Sequence, residues 1–192
     1  MLNRWQAQVS YVFSKTEGTV SSSGSADTNS TQFETPNTIL VNRGGPVPLE
    51  RPHELKVFFG YQVPVIELGV NTYWSSLSGQ TYTPFQRITG ATLAWPSSVD
   101  VFIEPQGSYR NDRINIVDIR LEKVFNVGFN RFGVYADLEN AFNTGVVTTR
   151  QTRYPSATIT DVTTRTSHVI QFGWPTAVTA ARQITFGGRW SF

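Results

Sequence analysis

The chain has 192 residues with a net charge of +2, too small a basic excess to point to nucleic acid. It contains no cysteine, which excludes disulfides, thiolate metal sites and cysteine nucleophiles. No apolar run approaches the ~18 residues of a membrane helix: the richest stretch, Val57 to Val70, is broken by Pro64 and Glu67.

The first residues, Met1 to Trp5, lead straight into alternation without the apolar core of a secretory signal. Trp5, Ala7, Val9, Tyr11 and Phe13 alternate with Gln6, Gln8, Ser10 and Val12, which predicts a two-faced strand of about nine residues. That length matches the roughly 9–11 residues of a tilted strand crossing a bilayer. From Ser14 to Arg51 the chain is rich in Ser, Thr, Asn, Gly and Pro and reads as a long mobile loop.

Leu55, Val57, Phe59, Tyr61 and Val63 form the apolar side of the next strand, which Pro64 ends by removing a ladder donor. Ile66, Leu68, Val70, Thr72 and Trp74 continue on a second strand, so a hairpin with a tight turn at Pro64 and Val65 is predicted. Ser75 to Asp112 is again long and polar. The strongest alternation follows: Val117, Ile119, Leu121 and Phe125 against Asp118, Arg120 and Glu122. After a turn within 126–130, Phe132, Val134, Ala136, Leu138 and Phe142 alternate with Arg131, Tyr135, Asp137 and Glu139. Asn143 to Ala181 is Thr-rich and irregular, with Val146–Thr149 and Val169–Phe172 expected to extend the neighbouring strands.

The last strand, Arg182 to Phe192, places Ile184, Phe186, Gly188, Trp190 and Phe192 on one side and Thr185, Gly187, Arg189 and Ser191 on the other. Alternate apolar residues leading to a final Phe resemble the insertion signal of bacterial outer-membrane barrels. That signal is Ile184, Phe186, Trp190 and Phe192, to be read by the barrel-assembly machinery through edge pairing.

The connections run long, short, long, short, long. Short turns on one side and long loops on the other are the rhythm of a transmembrane barrel, whereas a soluble sandwich seldom holds three loops longer than about 12–15 residues. Low charge (16%) and high aromatic content (13%) at a mean hydropathy of only −0.23 fit the same alternation of lipid-facing and water-facing residues. The expected fold is therefore all-β: an antiparallel up-and-down transmembrane barrel segment of about six strands with long extracellular loops, open in isolation. Two other architectures fit the pattern, a complete small porin-like or adhesin barrel and a soluble β-sandwich that binds carbohydrate.

Three stretches carry a family resemblance: Ser78-Gly79-Gln80-Thr81-Tyr82-Thr83-Pro84, Asn115 to Phe125 (Asn-Ile-Val-Asp-Ile-Arg-Leu-Glu-Lys-Val-Phe), and Tyr135 to Asn143 (Tyr-Ala-Asp-Leu-Glu-Asn-Ala-Phe-Asn). Their order and spacing, with the terminal Phe, resemble the C-terminal strands of TonB-dependent outer-membrane receptors, Oar-like branch, over about Arg51 to Phe192. The resemblance implies a bacterial outer-membrane location and energised uptake of a large substrate such as a metal chelate, oligosaccharide or peptide. It further implies that residues 1–192 are the C-terminal portion of a receptor. Signal peptide, plug and the part that contacts the TonB complex would lie in a missing N-terminal portion.

With the apolar side toward lipid, Asp118, Arg120, Glu122, Arg131, Asp137 and Glu139 would face the lumen, since a midplane charge in lipid costs about 2–4 kcal/mol. They serve there either as a wall that plug or substrate touches or as cross-strand ion pairs that hold register. Asp137 and Glu139 share a face without an enclosing pocket, so no enzyme is expected. His53 and His168 lack metal-ligand spacing, and no phosphate loop or nucleophile elbow is present. No catalytic residue, metal or cofactor is expected. Trp5, Trp74, Trp174, Trp190, Tyr73 and Tyr82 are candidates for interfacial aromatic girdles.

Overall fold

The computed structural model describes residues 4–19, 41–48, 50–89, 98–160 and 166–191. Among them the chain is all-β, with antiparallel sheets. In chain order the strands are β1 (Trp5–Phe13), β2 (Glu17–Thr19), β3 (Gly44–Pro46), β4 (His53–Val63), β5 (Leu68–Leu77), β6 (Thr81–Tyr82), β7 (Phe85–Thr89) and β8 (Ser98–Phe102). They continue as β9 (Tyr109–Arg110), β10 (Ile114–Val127), β11 (Asn130–Glu139), β12 (Val147–Arg150), β13 (Ser156–Thr160), β14 (Ser167–Gln171), β15 (Pro175–Val178) and β16 (Gln183–Ser191).

Six of these form one meander in the order β1-β4-β5-β10-β11-β16. The sheet does not close among the described residues: β1 and β16 are its two edges. Both short connections lie at one end. Pro64–Glu67 joins β4 to β5, and Gly128-Phe129 joins β10 to β11. Gly128 (φ 60°) takes the first place of that two-residue turn, where hairpin turns of the primed types need positive φ. Trp5 and Ser191 lie at this same turn end; the three long excursions leave from the other, the loop end.

The antiparallel register fixes which side chains share a face. Trp5, Tyr61, Val70, Leu121, Ala136 and Phe186 form one row across all six strands, and Ala7, Phe59, Thr72, Ile119, Leu138 and Ile184 the next. The row of opposite parity reads Gln6, Gly60, Asn71, Arg120, Asp137 and Thr185. Sequence alternation thus becomes one largely apolar face and one largely polar face over six strands; the charged residue among the apolar rows is Lys123, between Leu121 and Phe125, its ammonium 5.1 Å from the Phe125 ring.

The strands reach beyond their expected ends. β5 extends to Leu77, and β10 runs from Ile114 to Val127 rather than from Val117 to Phe125. β11 stops at Glu139, short of Phe142, because Asn140 takes a left-handed conformation (φ 48°) and leaves the ladder.

The expectation that the long segments carry no regular structure is corrected where they are described. The described parts of 14–52, 78–113 and 140–182 pair into ribbons: β2 with β3, β6 with β9, β7 with β8, β12 with β15, β13 with β14. Residues 20–40 lie outside the described residues. Val146–Thr149 and Val169–Phe172 do not extend the main sheet; they contribute to the separate β12–β15 and β13–β14 ribbons.

The ribbons are held by buried polar groups. Gln106, 2% exposed, donates through Nε2 to the carbonyls of Gly18 (3.0 Å) and Gly45 (3.2 Å), tying the second excursion to the first. Arg43, also 2% exposed, lies over the Phe102 ring at 4.1 Å and donates to the Asp100 carbonyl. Glu50 pairs with Arg110 (2.5 Å), whose guanidinium also donates to the Gly79 carbonyl (2.9 Å). Gly79 is required by close approach: an added Cβ would lie 1.9 Å from the Asn111 carbonyl oxygen. The apolar complement is small. Ile114 and Ile170 are the buried hydrophobic residues among those described.

Candidate functional site

Burial is inverted relative to a soluble domain. Most buried residues are polar, while Trp5, Val9, Tyr11, Phe13, Phe59, Trp74, Leu121, Phe132, Val134, Ile184, Phe186 and Trp190 are between 38% and 78% exposed, all on the apolar face. A soluble monomer rarely exposes a contiguous apolar patch beyond a few hundred Å². Here the patch spans an entire six-stranded sheet.

This face has aromatic margins. At the turn end lie Trp5, Tyr61, Phe125, Phe132 and Trp190; Phe132 and Trp190, directly opposed, stack with centroids 6.0 Å apart. The Trp190 indole N–H donates to Asn130 Oδ1 (3.2 Å). At the loop end are Tyr11, Phe13 and Trp74, with the Tyr11 hydroxyl and His53 Nδ1 2.8 Å apart. From Trp5 to Phe13 the strand has nine residues, within the roughly 9–11 of a tilted strand crossing a bilayer. The band also climbs across the hydrogen-bonded rows. On β1 the outward apolar run covers Trp5 to Phe13; on β10 it covers Val127 to Val117, with Lys123 set within it, beginning three rows nearer the turn end and ending two rows short of Phe13. Tilted strands give that slope.

Of the other girdle candidates, Tyr73 belongs to the polar face, opposite Phe58 and Asp118. Tyr82 stacks on Tyr109 (5.4 Å) in a loop-end cluster with Phe172 and Tyr154. Trp174 lies beside β15 in the third excursion. Ile184, Phe186 and Trp190 share the apolar face of β16; Phe192 lies outside the described residues.

All six charged candidates meet on the polar face. Asp118, Arg120 and Glu122 come from β10, Arg131, Asp137 and Glu139 from β11. Arg120 and Asp137 are direct cross-strand neighbours, Nε to Oδ1 3.5 Å, and Glu122 reaches Arg189 on β16 at 3.5 Å. The Arg120 guanidinium also covers the Tyr135 ring at 4.1 Å. Tyr135 in turn lies across Gly187, where an added Cβ would come within 2.2 Å of the ring, so only glycine leaves room for this stack. Asp118 accepts the Asn140 backbone N–H (2.8 Å).

The polar face is concave. Cavities of about 480 Å³ (Phe58, Tyr73, Asp118, Arg120, Asp137, Glu139 among its walls) and 610 Å³ (Arg4, Gln62, Glu67, Glu122, Arg131) lie along it, with a smaller one of 340 Å³ between Arg131 and Arg189. What this surface can do chemically is present paired charges and amide groups to a polar body resting in the hollow. His53 and His168 sit in different sheets, β4 and β14.

No protein-family model, curated protein or solved structure matches the chain. The three sequence stretches that suggested a family nevertheless occupy connected places. Ser78–Pro84 lies among the hydrogen-bonded ribbons at the loop end of the sheet, which together form a loop-end hub: the Thr81 hydroxyl donates to the Val47 carbonyl (2.8 Å), and Thr83 Oγ1 accepts the Gly107 N–H (2.8 Å). Asn115–Phe125 is the central strand β10. Tyr135–Asn143 runs along β11 into a knot at Asn140. That side chain, 5% exposed, donates to the carbonyls of Thr144 (3.1 Å) and Ala180 (2.8 Å) and accepts the Thr144 N–H (2.8 Å).

Sequence reasoning missed Asn140, Gln106, Arg43 and Glu50. The signal for Asn140 was available: an Asn where a strong alternation ends is suited to positive φ. Gln106, Arg43 and Glu50 gave none, because their partners lie tens of residues away. In the same hub the Tyr109 hydroxyl donates to Glu104 (3.0 Å), which holds its phenol above the ordinary value. Arg87 is likewise raised by its two-pronged contact with Asp100, both arms 2.6 Å.

Proposed function

We propose that this chain is a wall segment of a bacterial outer-membrane β-barrel of the TonB-dependent receptor kind, Oar-like in its motifs. The observation that carries the reading is the exposed apolar face extending over six strands, interrupted by Lys123 near its turn end, backed by a concave polar face that gathers the acidic residues and most of the sheet's cations. Lipid suits the first surface and a water-filled or plugged lumen the second. The alternation, the aromatic margins and the placement of both short turns at one end support the same orientation, loops outward and turns toward the periplasm.

The two edges support a segment rather than a finished wall. In hydrocarbon an unpaired strand edge costs several kcal/mol for each unsatisfied backbone group, so β1 and β16 need further strands, from the rest of the receptor or, when this chain alone is placed in a bilayer, from neighbouring copies. Energised uptake of a metal chelate, oligosaccharide or peptide would belong to the complete receptor, with the TonB complex acting through its N-terminal portion. In this reading β16, with Ile184, Phe186 and Trp190 outward, is the strand offered to the barrel-assembly machinery.

The cysteine-free sequence permits a direct test. Single cysteines at Leu121 and Phe186 (apolar face) and at Asn71 and Thr185 (polar face) are expressed in a Gram-negative host. Membrane embedding predicts labelling of the polar pair by a water-soluble maleimide and of the apolar pair only by a lipid-phase reagent. Equal water-phase labelling of all four, in a protein that stays soluble without detergent, would replace this reading with a soluble sandwich.

A further inference from the structure

The outward charges are arranged as selectively as the outward apolar groups. Every acidic residue carried by the six-stranded sheet, namely Glu54, Asp118, Glu122, Asp137 and Glu139, lies on the polar face. Past the loop end of the apolar face, basic side chains stand at the next positions of the same alternation; within the band the basic residue is Lys123, over the Phe125 ring at 5.1 Å. Lys15 stands two residues past Phe13, beyond the end of β1; His53 follows Leu55 on β4; Arg182 stands two residues before Ile184, beyond the start of β16, and its guanidinium donates to the Ala141 carbonyl (3.4 Å). On β10, Arg113 lies beyond Val117 and Asn115, and its guanidinium donates to Ser76 Oγ (3.1 Å), a side chain of the same face. Lys15, Arg113 and Arg182 are exposed. The acids beside this row are Glu17, paired with Lys15 at 2.9 Å, the more distant Glu50, paired with Arg110, and Asp112, paired with Arg150.

This row follows the slope of the apolar band. Lys15 and Arg182 lie just past the ends of β1 and β16, each two residues beyond the last apolar side chain of the band, Phe13 and Ile184, whose own rows are three apart. A surface charge scattered for solubility has no reason to track that boundary. A layer of anionic groups at fixed height above the hydrocarbon gives one. Resting on the membrane reading above, we infer that the loop-end rim of the apolar face is a docking belt for phosphate-bearing lipid headgroups. Lys15, Arg113 and Arg182 are its charge donors, and the Tyr11–His53 pair its polar rim. Charge complementarity commits the occupant to an anionic lipid; a zwitterionic headgroup gains little from a row of cations that keeps a net positive charge beside Glu17.

The test reconstitutes the full chain in vesicles of phosphatidylcholine and phosphatidylglycerol in equal parts, extracts it in mild detergent and counts the lipids that co-purify. Each cation near an anionic surface is worth about a fivefold preference. Wild type should therefore carry phosphatidylglycerol in severalfold excess, and R113Q/R182Q should bring the ratio close to that of the vesicle. K56Q, which removes a cation from the opposite face, should keep the excess and so separates position from net charge. A wild type that carries lipids in the vesicle ratio, or an excess that survives R113Q/R182Q, overturns the belt while leaving membrane embedding intact. An excess stripped by inorganic phosphate alone would also overturn it, since a bare anion site needs no lipid. Failure of wild type to enter the vesicles overturns both readings.

Discussion

Leu121→Lys is the substitution that separates lipid from water most sharply. Leu121 lies midway along β10 on the apolar face, between Val70 and Ala136, and is 41% exposed. If that exposed surface meets water, lysine exchanges a half-solvated side chain for a solvated one, within about 0.5 kcal/mol. If it meets lipid near the midplane, the cation costs about 2–4 kcal/mol, because a lysine stem at this depth cannot reach either interface without bending. The cost should fall with depth, so Phe132→Lys, at the turn-end margin beside Trp190, should cost about 0–1 kcal/mol. Urea-titrated folding into phosphatidylcholine bilayers, followed by tryptophan fluorescence and by the heat-dependent shift on gels, measures both. A Leu121→Lys penalty below about 0.5 kcal/mol refutes the lipid-facing assignment. Equal large penalties at Leu121 and Phe132 would point to a protein partner covering the face, since protein contact has no depth profile.

Other consequences concern the polar face and the loop-end hub. Arg120 and Asp137 are partly solvated, so a double-mutant cycle with Arg120→Gln and Asp137→Asn should return a coupling of about 0.2–1 kcal/mol; a coupling above about 2 kcal/mol would mean that the pair is shielded from water. Gly79→Ala should destabilise the hub, because its Cβ would strike the Asn111 carbonyl at 1.9 Å, a backbone atom with nowhere to retreat. Limited proteolysis should then cut within 78–113 while the six-stranded sheet stays protected, and unchanged resistance would contradict the packing. The raised Tyr109 phenol depends first on its hydrogen bond to Glu104. Stability from this bond is fully present below the unfolded phenol's value and is lost as pH rises through the higher folded one. Glu104→Gln should therefore move one tyrosine's ultraviolet titration to lower pH, whereas an unmoved titration would show that the bond does not persist in solution.

The six main strands were legible because each has two unlike environments. Period-two alternation is visible only when one face is apolar and the other polar, as with Val117, Ile119 and Leu121 against Asp118, Arg120 and Glu122. Both faces of the sheet, the hairpin pairs and the placement of all six charged residues followed from it. Strand ends were misjudged where the apolar signal fades before the ladder does: Ser75, Ser76 and Asn115 pair across the sheet but look like loop residues. The ribbons of the long excursions were hidden for a related reason. Gly44-Gly45-Pro46 and Thr81-Tyr82 carry no alternation, and their pairing is held by Gln106, Arg110 and Glu50 from distant positions.

That difference also separates the two halves of the molecule in kind. The sheet is specified by what its side chains avoid, and its apolar face gains little from other parts of the chain, since only Ile114 and Ile170 are buried hydrophobic residues among those described. The loop-end hub is specified by hydrogen bonds, with buried Arg43, Glu50, Gln106 and Asn140 each bonded to partners in other segments. Buried polar networks set one arrangement but add little net free energy. A chain built this way gains its main apolar stabilisation only when the exposed face of β1, β4, β5, β10, β11 and β16 is covered. The molecule should accordingly be far less stable in detergent-free buffer than in a bilayer. A cooperative unfolding transition of equal midpoint in the two media would remove the central argument for a membrane wall.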